Sequence, residues 1–150
     1  MKMPRVFLAV ALCCLTGALA AQNRDVKTEE ANKKMVLTFY QAFFGDHDLS
    51  AAEKHLDPGY VQHNPGLPDG RDALINMAKG MFANTPKGKP DIRRVAADGD
   101  LVWLHVRGQF GPGPASSVVD IFRVKNGKIV EHWDTIQSIP EKSANPHPMF

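Results

Sequence analysis

The sequence predicts an α+β fold in which N-terminal helices pack on one side of a curved antiparallel sheet. Apolar residues recur at three- and four-residue spacing early in the chain, then give way to runs rich in Val, Ile and aromatics. Asp98-Gly99 and Asn126-Gly127 punctuate those later runs as hairpin turns. No internal repeat or low-complexity segment divides the chain, so helices and strands share one domain.

Residues 1–20 read as a secretory signal peptide. Lys2 and Arg5 form a basic start, Val6 to Leu15 an apolar core, and Ala18-Leu19-Ala20 a small-residue cleavage site. The apolar run is too short to span a membrane. A single domain over 21–150 is expected beyond it, exported to the periplasm or outside the cell. Both cysteines, Cys13 and Cys14, lie in the signal, so the mature chain has no disulfide and no thiolate ligand or nucleophile.

Residues 21–30 are polar. From Thr28, a candidate cap, Met35, Val36, Phe39, Tyr40 and Phe43 form a helical stripe that ends at Gly45. A short helix is expected from Leu49 to Leu56, stopped by Asp57-Pro58-Gly59. The stretch YVQHNPGLPDG, Tyr60 to Gly70, starts extended and turns into a Pro/Gly loop. A third helix runs from Arg71 to Phe82. Strands follow at Asp91–Ala97, Leu101–Phe110, Ser116–Lys125 and Lys128–Ile139.

Charge excludes one class of partner. The chain has 18 Lys+Arg and 16 Asp+Glu, and loss of Lys2 and Arg5 with the signal leaves the mature protein formally neutral. No basic run remains to bind a phosphate backbone, so nucleic acid is not expected as a partner.

The chemistry concentrates in KIVEHWDTIQ, Lys128 to Gln137. A strand alternates its faces, so His132 and Asp134 point the same way, on the face expected to carry Val130 and Ile136. The Asn126-Gly127 turn allows two registers. A two-residue loop pairs Lys125 with Lys128 and sets Asp120 opposite Trp133. A three-residue loop with Gly127 in the left-handed region pairs Val124 with Lys128 and sets Asp120 opposite His132. The second register gathers Asp120, His132 and Asp134 among Val118, Phe122, Val124 and Ile136. A lone buried charge is costly, whereas a mutually hydrogen-bonded cluster persists. Apolar walls would also raise a carboxylate pKa toward the range of a general acid or base. The bland alternative is an Asp–His–Asp network that only satisfies itself.

Further candidates surround this cluster. Tyr60, Gln62 and His63 lie on the first extended segment, where a residue can lean into a cavity; a turn-capping role before Asn64-Pro65 is the alternative for Gln62 and His63. Phe122 lies on the apolar face beside the cluster. His105 shares a strand face with Trp103 and Arg107. A metal set drawn from His63, His105, His132 and a carboxylate lacks any short ligand spacing, so no metal is expected. Ile121, Ile129 and Trp133, on the opposite face, predict a homodimer through the outer side of the sheet.

With its helices, its YVQHNP segment and its closing VVDIFRVKNGKIVEHWDTIQ, the chain resembles the SnoaL-like polyketide cyclases of the nuclear transport factor 2-like superfamily. The resemblance covers the mature chain in layout and is specific mainly in the last two strands. It implies a cone, with helices against a strongly curved sheet and a deep pocket between them. It also implies that Asp134 is the general acid/base, with His132 matching the motif's histidine two residues earlier. Asp120 stands where the cyclase pattern has a histidine, and Val118 where it has a glutamine. Gln62 or His63 corresponds to the family's polar residue on the first extended segment. The implied chemistry needs no cofactor: Asp134 takes a proton next to a carbonyl in a small apolar ligand, His132 orients it, and Asp120 or His63 supplies a second proton or anchor. Since one fold hosts many functions, a non-catalytic small-molecule binder is the alternative.

Overall fold

In a computed structural model, which describes residues 24–109 and 113–150, the Asp25 side chain opens the first helix by accepting from the backbone N–H of Thr28. The cap is therefore Asp25, with the Thr28 hydroxyl bonded to the same carboxylate. This helix, α1, spans Val26–Tyr40 and continues into a π-helical turn over Gln41–Gly45. Gly45 closes the turn against the backbone of Gly88, where an added Cβ would lie 2.7 Å from the Gly88 carbonyl oxygen. Then come α2 (Ser50–His55), β1 (Leu56–Gln62), α3 (Arg71–Phe82), β2 (Asp91–Asp98), β3 (Leu101–Gly108), β4 (Ser116–Lys125) and β5 (Lys128–Ser138). The signal-peptide reading, Ala21, and the expected end of the second strand at Phe110 lie outside the described residues.

The strands form one sheet in the order β1-β5-β4-β3-β2. Three of its pairings are antiparallel, but the edge strand β1 lies parallel to β5. A parallel neighbour requires a long crossover, and everything from α3 to β4 lies between β1 and β5. Pro58 has no N–H for the ladder. The Asp57-Pro58-Gly59 segment bulges out of it, with the Gly59 N–H donating to Asp57 Oδ1 at 2.8 Å.

All three helices cover the inner sheet face. Phe39 and Phe43 stack at 5.3 Å, and the ring of Phe39 meets Phe122 of β4 edge-on. Val36 of the helix, Val102 and Leu104 of β3, and Ile129 of β5 complete a dry core. Deep burial of such side chains contributes about 1.5–3 kcal/mol each, which fixes the helices on this face.

The β4–β5 register follows neither sequence expectation. Lys125 pairs with Lys128 across a two-residue turn, with Asn126 and Gly127 at φ 52° and 71°. A bulge then follows: Val124 pairs with Ile129, and Arg123 with Glu131, leaving Val130 as the extra residue. The two-residue turn suits the strand twist, and the bulge shifts the register by one residue in the sense opposite to the expected three-residue loop, which turns the same side chains to one face. Asp120 consequently faces Asp134, and Phe122 faces His132.

The bulge also reverses two apolar residues. Ile129, expected on the outer face, is 0% exposed in the core, while Val130 lies beside Arg123 and Glu131 on the outer side. The outer face keeps Ile121 and Trp133 and adds Trp103 and Val119, both more than a third exposed. Its β2–β3 end is covered by the chain's own C-terminus: Phe150 lies against His105 and beneath the Arg93 guanidinium.

Candidate functional site

Between α1, α3 and the inner side of β4 and β5 lies a cavity of about 260 Å³. Phe44, Leu74, Met77 and Met81 give it an apolar wall, and Asp120, His132 and Asp134 stand opposite. One donor atom from each of these three lies within 4.8 Å of the others. Asp120 and His132 are buried, at 6% and 8% exposure, and Asp134 is half-buried.

Facing carboxylates on neighbouring strands repel, and the site separates them by giving each its own donors. Asp120 accepts from the Tyr40 hydroxyl through Oδ2 at 2.9 Å and meets His132 Nε2 through Oδ1 at 3.1 Å. Asp134 accepts from the Asn64 side-chain amide through both oxygens, at 2.8 and 2.7 Å. His132 was expected to hold Asp134. It holds Asp120 instead, because the bulged register puts the imidazole beside Phe122, whose ring stacks on it at 4.8 Å.

The chain before α3 presents Asn64. Gln62 ends β1, and its backbone N–H donates to Asp69 Oδ1, while Gly70 N–H donates to the Tyr60 carbonyl. The loop is thus tied back onto β1. Within it, Asn64 Oδ1 accepts from Gly66 N–H, which leaves the side-chain NH₂ to face Asp134.

Gln62 orients the imidazole. Its Oε1 accepts from the backbone N–H of Asn64 at 3.0 Å and lies 2.9 Å from His132 Nδ1; its NH₂ donates to the Tyr60 hydroxyl oxygen at 3.0 Å. An oxygen can only accept, so Nδ1 carries a proton. One more proton must then lie between His132 Nε2 and Asp120 Oδ1. The pair is neutral in total, either as imidazolium and carboxylate or as imidazole and carboxylic acid. Burial, reinforced by the Asp120 charge, pushes the Tyr40 and Tyr60 hydroxyls above the ordinary tyrosine range. Both therefore remain protonated at neutral pH.

Two sequence candidates lie elsewhere. His63 follows Gln62 by one residue and so points to the outer face. It stacks on Trp133 at 4.6 Å with the planes 5° apart, and Nε2 meets Glu131 at 2.8 Å. That contact, helped by Arg123, holds the Glu131 carboxyl below its usual range. His105 is also on the outer face, bonded to Arg94 and Ser117. Neither reaches the cavity, because strand alternation directs both side chains through the other side of the sheet. Tyr60 and Phe122 support the site from behind, through Gln62 and His132, without lining the cavity.

Tyr40 and Asn64 were not singled out in the sequence. A tyrosine within the Phe39-to-Phe44 aromatic stripe was the available signal for the first, since a buried hydroxyl needs a partner. Asn64 had none: its role depends on the loop folding back.

As a metal set, Asp120, His132 and Asp134 lack a free nitrogen. His132 uses both ring nitrogens, while the carboxylates, which accept from Tyr40 and Asn64, keep lone pairs. An ion would have to displace the Nε2–Oδ1 contact, which the neutral pair already satisfies.

A family model described as a SnoaL-like domain matches residues 36–132. No curated protein matches the sequence. Among solved structures, a nuclear transport factor 2-like protein of unknown function from Burkholderia xenovorans superposes with a TM-score of 0.61 at 22% identity, over 77% of this chain and 90% of that one. A candidate SnoaL-like polyketide cyclase from Jannaschia gives 0.61 at 19% identity, over 72% and 86%. A candidate polyketide cyclase from Acidithiobacillus ferrooxidans gives 0.57 at 21% identity, over 71% and 87%. At these identities the likeness is one of fold.

Proposed function

Because the chain belongs to the SnoaL-like family, its model matching residues 36–132, we propose that the cavity performs general acid/base chemistry on a small apolar carbonyl compound. The observation that carries this reading is the unequal pair of carboxylates. Asp120 is bound to a proton-bearing imidazole, whereas Asp134, 2.7–2.8 Å from a neutral amide, is free to accept a proton. Polyketide cyclases among the structures of similar fold support the same class of chemistry.

In this reading Asp134 removes a proton from the carbon next to the carbonyl. Negative charge then develops on the carbonyl oxygen and needs a donor. Two protons stand beside that region, each bonded to Asp120 in the resting site: the one shared by His132 and Asp120, and the Tyr40 hydroxyl proton. Serving the oxyanion requires one of them to leave Asp120. Donation from the His132–Asp120 pair leaves it anionic while Asp134 is neutral, so the site's total charge changes little as the reaction proceeds. Asn64 positions the base, and Gln62 sets the imidazole. Return of the proton from Asp134 to another carbon, with the enol proton going back to the His132–Asp120 pair, completes an isomerisation. In an aldol cyclisation the enol carbon attacks a second carbonyl, Asp134 protonates the alkoxide that forms, and the enol proton returns to the pair.

The test uses 2-tetralone, a two-ring ketone with acidic α-hydrogens. Protein-accelerated exchange of those hydrogens in D₂O, followed by proton NMR against a buffer blank, supports an enzyme. Saturable binding without acceleration supports the alternative, a small-molecule binder on the same fold.

Export and self-association extend the reading beyond the cavity. The basic, apolar and small-residue order of residues 1–20 supports cleavage before Ala21. Exposed Trp103 and Val119 support pairing of two copies through the outer face. Intact mass of the exported chain and its mass in solution test the two.

A further inference from the structure

Among the described residues, Asp134 is a half-buried carboxylate that lines the cavity and has no positive partner. Glu29 is paired with Arg24, Glu131 with Arg123 and His63, and Asp120 with the proton-bearing His132. Among the described residues, the hydrogen bonds of the Asp134 side chain go to the neutral Asn64 amide alone, and no Lys or Arg lines the cavity. The Asp120–His132 pair is neutral in total, so the cavity carries one net negative charge.

Its donors are already committed. The Tyr40 hydroxyl donates to Asp120, Gln62 to Tyr60, and Asn64 to Asp134. His132 directs both nitrogens at wall atoms. Spare capacity in the wall therefore consists of carboxylate and hydroxyl lone pairs. Around them stand Leu74, Met77 and Met81, and the rings of Tyr40 and Phe44 packed at 4.7 Å. Aromatic faces and methionine sulfurs receive a cation well and an anion poorly.

We propose that the cavity also binds compounds in which an apolar ring body carries a protonated amine, the ammonium pairing with Asp134, and that it rejects carboxylates of the same shape. Such an amine occupies the base without reacting. The inference uses the Asp134 charge and surroundings and does not depend on Asp134 taking part in turnover.

Three isosteres separate charge from shape: 2-naphthylmethylamine, 2-naphthylmethanol and 2-naphthoate, titrated calorimetrically at pH 7 and low salt. A charge-assisted hydrogen bond is roughly twice as strong as a neutral one, so the amine should bind at least about tenfold more tightly than the alcohol. The carboxylate, which would face Asp134 with no cation between them, should bind at least about tenfold more weakly than the alcohol. In Asp134→Asn the amine should fall to the level of the alcohol, with the alcohol itself changed by no more than about threefold. Equal affinities for amine and alcohol, carboxylate binding that matches the alcohol, or no measurable binding of the amine would overturn the proposal. The series in the unaltered protein decides it even if the variant fails to fold. Failure of the acid/base reading would show differently, as absent 2-tetralone exchange with this ranking intact.

Discussion

Replacing Tyr40 by Phe removes one oxygen from the interior and tests how Asp120 is held. The ring is 7% exposed and keeps its packing against Phe44 and Phe122 in the variant, so little apolar contact is lost. What disappears is the 2.9 Å hydrogen bond to Asp120 Oδ2, inside a buried network. Hydrogen bonds to charged groups contribute about 1.5–3 kcal/mol, and an acceptor left unmade in the interior costs a similar amount. Tyr40→Phe should therefore lower the unfolding free energy by about 1.5–3 kcal/mol, or the melting temperature by roughly 4–10 °C for a domain of this size. Urea unfolding followed by tryptophan fluorescence measures it. The same substitution in an Asp120→Asn background should cost less, since the acceptor is then neutral, and the difference is the coupling between the two side chains. A loss below about 0.5 kcal/mol, within the range of ordinary surface substitutions, would mean that Asp120 does not rely on this hydroxyl.

Other consequences test the frame and its electrostatics. Ile129→Ala should cost about 2–5 kcal/mol, because the bulge puts Ile129 in the core; an effect near zero in the same denaturation assay would return it to the outer face. Gly127→Ala should cost about 1 kcal/mol, since its φ of 71° disfavours a side chain, and an unchanged urea midpoint would refute that geometry. The alkaline limb of stability should reflect Tyr40 and Tyr60, whose folded pKa values are raised by burial. Their contribution is complete below about pH 10, the unfolded value, and is lost as pH rises above it, where the unfolded chain releases protons the folded one retains. Melting temperatures from pH 8 to 11 should fall more steeply for the unaltered protein than for Tyr60→Phe; parallel curves would contradict the assignment.

Periodicity and turn chemistry made the elements legible. The third helix and the fourth strand in the structure run over Arg71–Phe82 and Ser116–Lys125, the ranges expected from pattern alone. Alternation also placed Asp120, His132 and Asp134 on one face, although the route to that face was misread. A one-residue shift can come from the turn or from a bulge further along the strand, and Ile129-Val130 gives no sign of which. The cavity's remaining polar side chains come from elsewhere in the chain. Tyr40 reaches Asp120 across 80 residues and Asn64 reaches Asp134 across 70, contacts that only the packing of α1 and the parallel pairing of β1 with β5 create. His63 shows the converse. Its position beside Gln62 suggested the cavity, yet adjacent residues on an extended segment point to opposite faces.

The central claim is that Asp134 is the base, and the most direct measurement is the rate of 2-tetralone α-hydrogen exchange in Asp134→Asn relative to the unaltered protein. Loss of a positioned general base lowers a rate by about 10²–10⁴. The account predicts a fall of that order with 2-naphthylmethanol affinity preserved. Exchange that continues undiminished in the variant would contradict it and assign the proton transfer to Asp120 and His132.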